Sequence, residues 1–255
     1  MNRKRIIFIF ALLALFTFAR MSYSANIVAA WLLDEGKGEE IKDSSGNDNT
    51  GQFFGKPEWT EGKNGRGIRL HGTPDHIEVP DPDHKLIPKH MTLVAWINLD
   101  NISGNHAILE QYDWAGSLGA YAWRTNNAEL QLYVIWGVDA PVISGGALNA
   151  GEWMHVAATY DGQEFNTWIN GEVAATGNDA QKRDLAPSDK SLSIGVRGDS
   201  KDTHWMQGVF DEIAIFDEAL TKGEIQNVMK NGLSPILAIS PKGKLAATWS
   251  QIKSF

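Results

Sequence analysis

The chain has 255 residues, ten of them tryptophan and none cysteine, with 43% hydrophobic residues, 21% charged residues and a formal charge of −8. Its first 24 residues hold four basic side chains (Arg3, Lys4, Arg5, Arg20) and no acid, so the remainder carries 19 basic against 31 acidic residues, a charge of −12. That balance argues against nucleic acid and anionic lipid as main partners, and the lack of cysteine rules out disulfides and thiol nucleophiles.

Residues 1–24 read as an export signal. Arg3 to Arg5 form a positive start, Ile6 to Ala19 an apolar run of 14 residues, and Ser22 and Ser24 put small side chains where a signal peptidase cuts. The run is too short to span a bilayer comfortably, and no later segment is apolar enough to do so. An uncleaved anchor, with Arg20 directly after the run, is the alternative. The expected location is secreted, extracellular or periplasmic, with no membrane span after cleavage. About 230 residues then suffice for one large all-β domain with a full core.

Alternation with period two runs through most of that length. Met91, Leu93, Ala95, Ile97 and Leu99 share one face of a strand, with Thr92, Val94, Trp96 and Asn98 on the other. Leu130, Leu132, Val134 and Trp136 alternate in the same way, as do Met154, Val156, Ala158 and Tyr160. Asn170 and Gly171 predict a tight hairpin turn, because both central residues of a type I′ turn need positive φ. Val209 to Phe216 makes a late strand. One helix follows: Thr221 with Glu224 has the capping-box spacing, Ile225, Val228 and Met229 form an apolar stripe, and Asn231 with Gly232 ends it. The expected domain is 25–232, and 233–255 is a tail in which Ser240 to Lys244, between two apolar runs, is consistent with a small hairpin.

Taken in order, these pieces resemble the laminin-G-like members of the concanavalin A-like lectin/glucanase superfamily. The resemblance runs from about Val28 to Gly232. It is carried by Trp31 to Gly38, the polar loop Asp43 to Gly51, Gly65 to Gly72, Ile77 to Pro80, Met91 to Leu99, Gly151 to Gly162, Trp168 to Glu172 and Phe210 to Leu220. It implies a two-sheet antiparallel jelly-roll sandwich with one short C-terminal helix. The implied role is recognition, often of carbohydrate, frequently with one structural calcium. Fold alone does not name a ligand.

Three constellations carry chemistry. Asp211 sits among apolar residues of the late strand, sharing a face with Val209, Ile213 and Ile215, and a buried carboxylate needs a counter-charge or a metal. Loop 43–51 offers Asp43 and Asn49, hard oxygen ligands suited to Ca²⁺, and the resemblance places that loop beside the late strand. The expected metal residues are thus Asp43, Asn49 and Asp211. The alternative is that Asp211 accepts backbone or arginine hydrogen bonds and the loop is an ordinary polar turn. Hydrolysis is not expected. Glucanases of the superfamily often carry Glu-x-Asp-x-x-Glu on one strand, which is absent here, and adjacent Asp211 and Glu212 face opposite ways on a regular strand.

The third constellation is aromatic. Tyr112 with Trp114, Trp136 with Asp139, and His204 with Trp205 lie in loop-like stretches, where rings stack on sugar C–H faces and polar neighbours bind hydroxyls; packing at the sheet edges is the alternative for each. Trp31, Trp96, Trp153 and Trp168 lie inside strands and are core candidates, and His155 reads as a satisfied sheet histidine. Arg197 to Asp199 spells an integrin-type tripeptide that chance explains. The expectation is a secreted non-catalytic recognition module for glycan or another extracellular surface component. The alternatives are an adhesion module with a protein partner and, below it, a glycan-active enzyme with a diverged site.

Overall fold

The computed structural model describes residues 25–114 and 119–239. The expected export signal and the expected hairpin around Ser240 to Lys244 lie outside the described residues. Sixteen strands run in chain order: β1 Ile27–Trp31, β2 Glu40–Ile41, β3 Gly51–Phe54, β4 Glu58–Glu61, β5 Arg66–His71, β6 His76–Val79, β7 Met91–Leu99, β8 Asn105–Tyr112, β9 Ala120–Asn126, β10 Glu129–Ile135, β11 Val142–Gly145, β12 Trp153–Tyr160, β13 Glu164–Ile169, β14 Glu172–Asn178, β15 Leu192–Ile194 and β16 Gln207–Phe216. Two helices follow, α1 Lys222–Asn231 and α2 Ser234–Ile239.

The strands form two antiparallel sheets of eight. The first runs β14-β13-β12-β7-β16-β5-β4, with β1 also on β16; the second runs β11-β10-β9-β8-β15-β6-β3-β2. The alternating sets meet between them. Leu93, Ala95 and Ile97 of β7 and Met154, Val156 and Ala158 of β12 pack from one sheet, and Leu130, Leu132 and Val134 of β10 from the other, with Trp31 and Trp123 fully buried among them. Each such Leu, Ile, Val or Met side chain contributes about 1.5–3 kcal/mol on burial, which is how a cysteine-free sandwich holds. Asn170 and Gly171 turn the β13–β14 hairpin at φ 51° and 77°, as expected.

The outer face of the first sheet is also covered. Val94, Ala157, Trp168, Ala214 and Phe216 pack under Leu220, Ile225 and Val228 of the α1 region and Leu233, Ile236 and Leu237 of the α2 region. Thr221 and Glu224 close the capping box, and Gly232 at φ 75° donates its N–H to Val228 O. α2 is a second helix beyond the one expected. Pro235 stands in its first turn, where a missing N–H costs nothing. Residues 233–237 therefore belong to the packed body and not to a separate tail.

β16 corrects one expectation. Glu212 adopts φ +45°, and the pairing with β7 shifts register between Asp211 and Ala214. This bulge resets the alternation. Phe210, Ile213 and Ile215 all face the core, while Asp211 lies opposite Trp96 on the outer face. Asp211 thus shares no face with Ile213 and Ile215. Trp96 is also opposite His155 on β12, so His155, Trp96 and Asp211 form one row across three strands. His155 is buried, and its Nδ1 has no hydrogen-bond partner, so it is not the satisfied histidine expected.

Candidate functional site

Asp43 organises its own loop. Oδ1 accepts from Ala30 N at 3.0 Å and Ser45 N at 2.8 Å; Oδ2 accepts from Asn49 N at 3.1 Å and Asn49 Nδ2 at 2.9 Å. The Asn47 and Asn49 side-chain amides donate to Val28 O, so the loop stitches to the backbone of β1. Asp211 serves a different loop, accepting from Asn64 N at 2.8 Å. Glu212 accepts from Asn64 Nδ2 at 2.8 Å, so the bulge turns the two acids toward one residue and not to opposite faces.

The expected calcium set of Asp43, Asn49 and Asp211 does not fit a calcium cage. Four N–H donors point at the Asp43 carboxylate, where a cation needs free lone pairs. Among the described residues no three His, Cys, Asp or Glu side chains gather into a metal-holding group. Asp211 Oδ1 is a buried carboxylate oxygen without a hydrogen-bond partner, as are Glu35 Oε2 and Glu110 Oε1. Burial, reinforced by the neighbouring Glu212 charge, raises Asp211 to about 7 against the backbone N–H groups that would lower it.

The aromatic candidates separate into distinct clusters. Trp136 and Asp139 belong to one built on Arg183. The guanidinium lies 3.6 Å from the Trp136 ring centroid, Arg183 Nη1 donates to Asp139 Oδ2 at 2.7 Å, and Trp136 Nε1 donates to Asp184 O at 2.9 Å. Hydrogen bonds from Arg183 hold Asp179 down to about 2 despite its burial. The Trp136 face is therefore taken by Arg183, and its edge meets Tyr160 at 5.9 Å. Trp205 is half-buried, donates to Asp202 O at 3.2 Å and meets His76 edge-on at 5.7 Å, with Phe54 stacked on His76 at 4.9 Å. Neither tryptophan presents an open ring.

Trp114 does. Its side chain is 51% exposed, and it stands edge-on to Tyr112 at 6.5 Å. Tyr112 is itself buried and packs with Ala122 and Ile135 on the outer face of the second sheet. Burial, then the Glu110 charge, push its phenol well above the ordinary value, so it stays a neutral hydrogen-bonding group. It bonds Asp199; burial alone would raise that acid, but Arg197 and Tyr112 hold it below its usual value.

Beside this pair the sheet registers place one row across the strands: Glu78 of β6, Ser193 of β15, Glu110 of β8, Ala122 of β9, Tyr133 of β10 and Val142 of β11. Glu110 is fully buried. Oε2 accepts from Gly198 N at 2.9 Å, and Oε1 lies 2.9 Å from Arg124 Nε and 3.8 Å from His204 Nδ1. The Arg124 contact is an ion pair in which the N–H is not aimed along the approach. Arg124 also stacks 4.8 Å from the Tyr133 ring and reaches His204 Nδ1 at 3.0 Å. Tyr133 is half-buried and Val142 exposed.

His204 therefore positions Arg124. Gly198 crosses Glu110 because it has no side chain: a Cβ there would stand 2.9 Å from Glu110 Cβ. The integrin-type tripeptide is spent on this same loop, with Arg197 Nε and Nη2 on Asp199 at 2.6 and 3.1 Å. Tyr112, Trp114 and His204 are thus brought to one face, while Trp136, Asp139 and Trp205 serve other contacts. Glu110, Arg124 and Tyr133 join that face. A further depression beside β2, lined by Glu35, Lys37, Glu40, Lys42 and Gln52, has no aromatic wall.

The laminin G model of the concanavalin A-like lectin/glucanases superfamily matches residues 71–226. The human pentraxin-related protein PTX3 is 30% identical over 114 residues, 41% of this chain and 29% of that protein, so the match spans under a third of the relative's length. The binding domain of Paraclostridial Mosquitocidal Protein 1 superposes with a TM-score of 0.65 at 16% identity, covering 80% of this chain and 51% of that one. Domain 4 of AbnA, an extracellular arabinanase of family GH43 from Geobacillus stearothermophilus solved with arabinotriose, superposes at 0.62 and 19% identity, covering 80% and 98%. At these identities the superpositions show the shared sandwich. Among the described residues no helix is long and apolar enough to cross a membrane.

Proposed function

The chain belongs to the concanavalin A-like lectin/glucanases superfamily, and from that premise we propose that it is an exported, non-catalytic module that binds carbohydrate on the outer face of its second sheet. The observation that carries the reading is Trp114, a half-exposed indole propped on buried Tyr112 beside the Arg124–Tyr133 stack. Such a ring offers a flat apolar surface to a sugar C–H face, and the polar groups next to it suit hydroxyls. The AbnA domain, which shares the sandwich, was solved with a short arabinose oligomer.

Catalysis finds no support in the acids at hand. Glycoside hydrolysis uses two carboxylates across an accessible cleft. Glu110 is buried under Gly198 and paired with Arg124, and Glu212 accepts from Leu233 N at 3.2 Å beneath the helices. Export rests on the charged, apolar and small-residue succession of residues 1–24.

The test is retention of the mature chain on immobilised polysaccharides, with Trp114→Ala compared alongside. Binding by the wild type and loss in a variant of unchanged melting temperature support the reading. Retention unaffected by the substitution sinks this site. The second reading, a protein partner, is favoured by the loop 197–205 lying over the sheet; pull-down of one defined protein with no glycan retention would select it.

A further inference from the structure

We infer that this face selects an uncharged glycan over an acidic one, an inference that rests on the carbohydrate reading above and names its ligand class. Four cations surround the face among the described residues, and each has its own acid. Arg124 Nε lies 2.9 Å from Glu110, Arg197 Nε 2.6 Å from Asp199, Lys201 Nζ 3.7 Å from Glu78, and Lys190 Nζ 3.9 Å from Asp113. Those four bases are matched by four acids, and Asp202 on the same loop adds a fifth, held by Ser200 and not by a base, so the face carries no spare positive charge.

Recognition of a carboxylated or sulfated sugar calls for a cation free to meet it, best a bidentate arginine. Here the Arg197 fork is closed on Asp199 through both Nε and Nη2. Arg124 is boxed by Glu110, His204 and the Tyr133 ring, with only 11% of its side chain accessible. An anionic sugar would have to displace an acid from its partner and then lie beside that acid. Like charges at such range repel strongly in a partly dehydrated site.

A neutral sugar meets no such penalty. Its C–H face covers the Trp114 indole, and its hydroxyls both donate and accept, so they match carboxylate lone pairs and guanidinium N–H groups that remain paired. Stacking and neutral hydrogen bonds also respond weakly to salt, whereas an ion pair with the ligand is screened.

The experiment compares the mature protein on neutral probes (linear arabinan, xylan, mixed-linkage β-glucan and mannan) and acidic ones (polygalacturonate and sialyllactose), by calorimetry at about 50 and 300 mM salt. The expected result is binding of at least one neutral probe, with less than a twofold change between the two salts, and at least tenfold weaker binding of the acidic probes. Asp199→Asn opens Arg197 and is expected to raise acidic-probe affinity at least fivefold relative to that for the neutral probe. An acidic probe that wild type binds more tightly than any neutral one, with salt-sensitive affinity, overturns the selectivity and leaves carbohydrate binding standing. No binding by any probe overturns the carbohydrate reading itself.

Discussion

Gly198 lies directly on Glu110: its N–H donates to Oε2 at 2.9 Å, and a Cβ added to it would stand 2.9 Å from Glu110 Cβ and 3.0 Å from the Glu110 backbone. The close approach lets a surface loop supply a hydrogen bond to a fully buried acid. Gly198→Ala is expected to lift the 197–205 loop, costing about 1–3 kcal/mol of stability through overpacking and weakening sugar affinity at least tenfold as Arg124 loses its frame. Thermal melting and calorimetry on the variant check both. An unshifted midpoint would show that the loop tolerates the extra methyl.

Trp114 and Trp136 predict opposite outcomes. Trp114 is half exposed, so Trp114→Ala should change stability by no more than about 0.5 kcal/mol while abolishing retention on the neutral probe. Trp136 is clamped by Arg183 and packed against Tyr160. Trp136→Ala should cost about 2 kcal/mol or more, since it removes aromatic packing and strips Arg183 of its ring, yet leave affinity within threefold. Denaturant melts beside binding curves separate the two.

The sandwich was readable because its core strands alternate: Leu93, Ala95 and Ile97 line one face, as do Met154, Val156 and Ala158, although Val94 and Ala157 between them are buried too, under the helices. The break in β16 was not, since a bulge at Glu212 leaves no mark in the pattern of Val209 to Phe216, and one residue in the left-handed region reverses which acid faces where. Trp114, Trp136 and Trp205 look alike in sequence, each in a polar loop. Only the partner on each ring tells them apart, and Arg183, 47 residues beyond Trp136, has no local spacing that marks it. Glu110 and Arg124 have no local spacing that marks them as a pair. Their meeting depends on the pairing of β8 with β9 and on a loop nearly ninety residues away.

His155 should make the protein sensitive to acid. Burial lowers its imidazole to about 4, so the folded chain holds it neutral where the unfolded chain, at about 6.5, takes up a proton. The contribution to stability is complete above about 6.5 and is lost as pH falls toward 4. His155→Gln, neutral throughout, should therefore remove an acid-side loss on the order of a few kcal/mol between those values. Denaturant titrations at pH 4.5 and 7 measure it; an equal pH slope in wild type and variant would count against the buried neutral ring.

Asp211, two strands from His155 across Trp96, should act in the opposite sense over nearly the same range. Its folded value of about 7 stands above the ordinary 3.8, so the folded chain retains a proton that the unfolded chain has lost. Stability from this group is present below about 4 and falls as pH rises through about 7. In the wild type the two slopes oppose each other and flatten the profile between about pH 4 and 7, and each single substitution uncovers the other. Asp211→Asn, which keeps a carbonyl for Asn64 N, should gain on wild type by a few kcal/mol as pH rises from 5 to 8, read from the same titrations. Calcium supplies the control. A cation on Asp211 Oδ1 would favour the ionised acid, so added calcium would uncover the His155 slope in the wild type, as the substitution does, and leave Asp211→Asn unmoved; with EDTA present, loss of the predicted difference between the two proteins would show that Asp211 is not held protonated by burial.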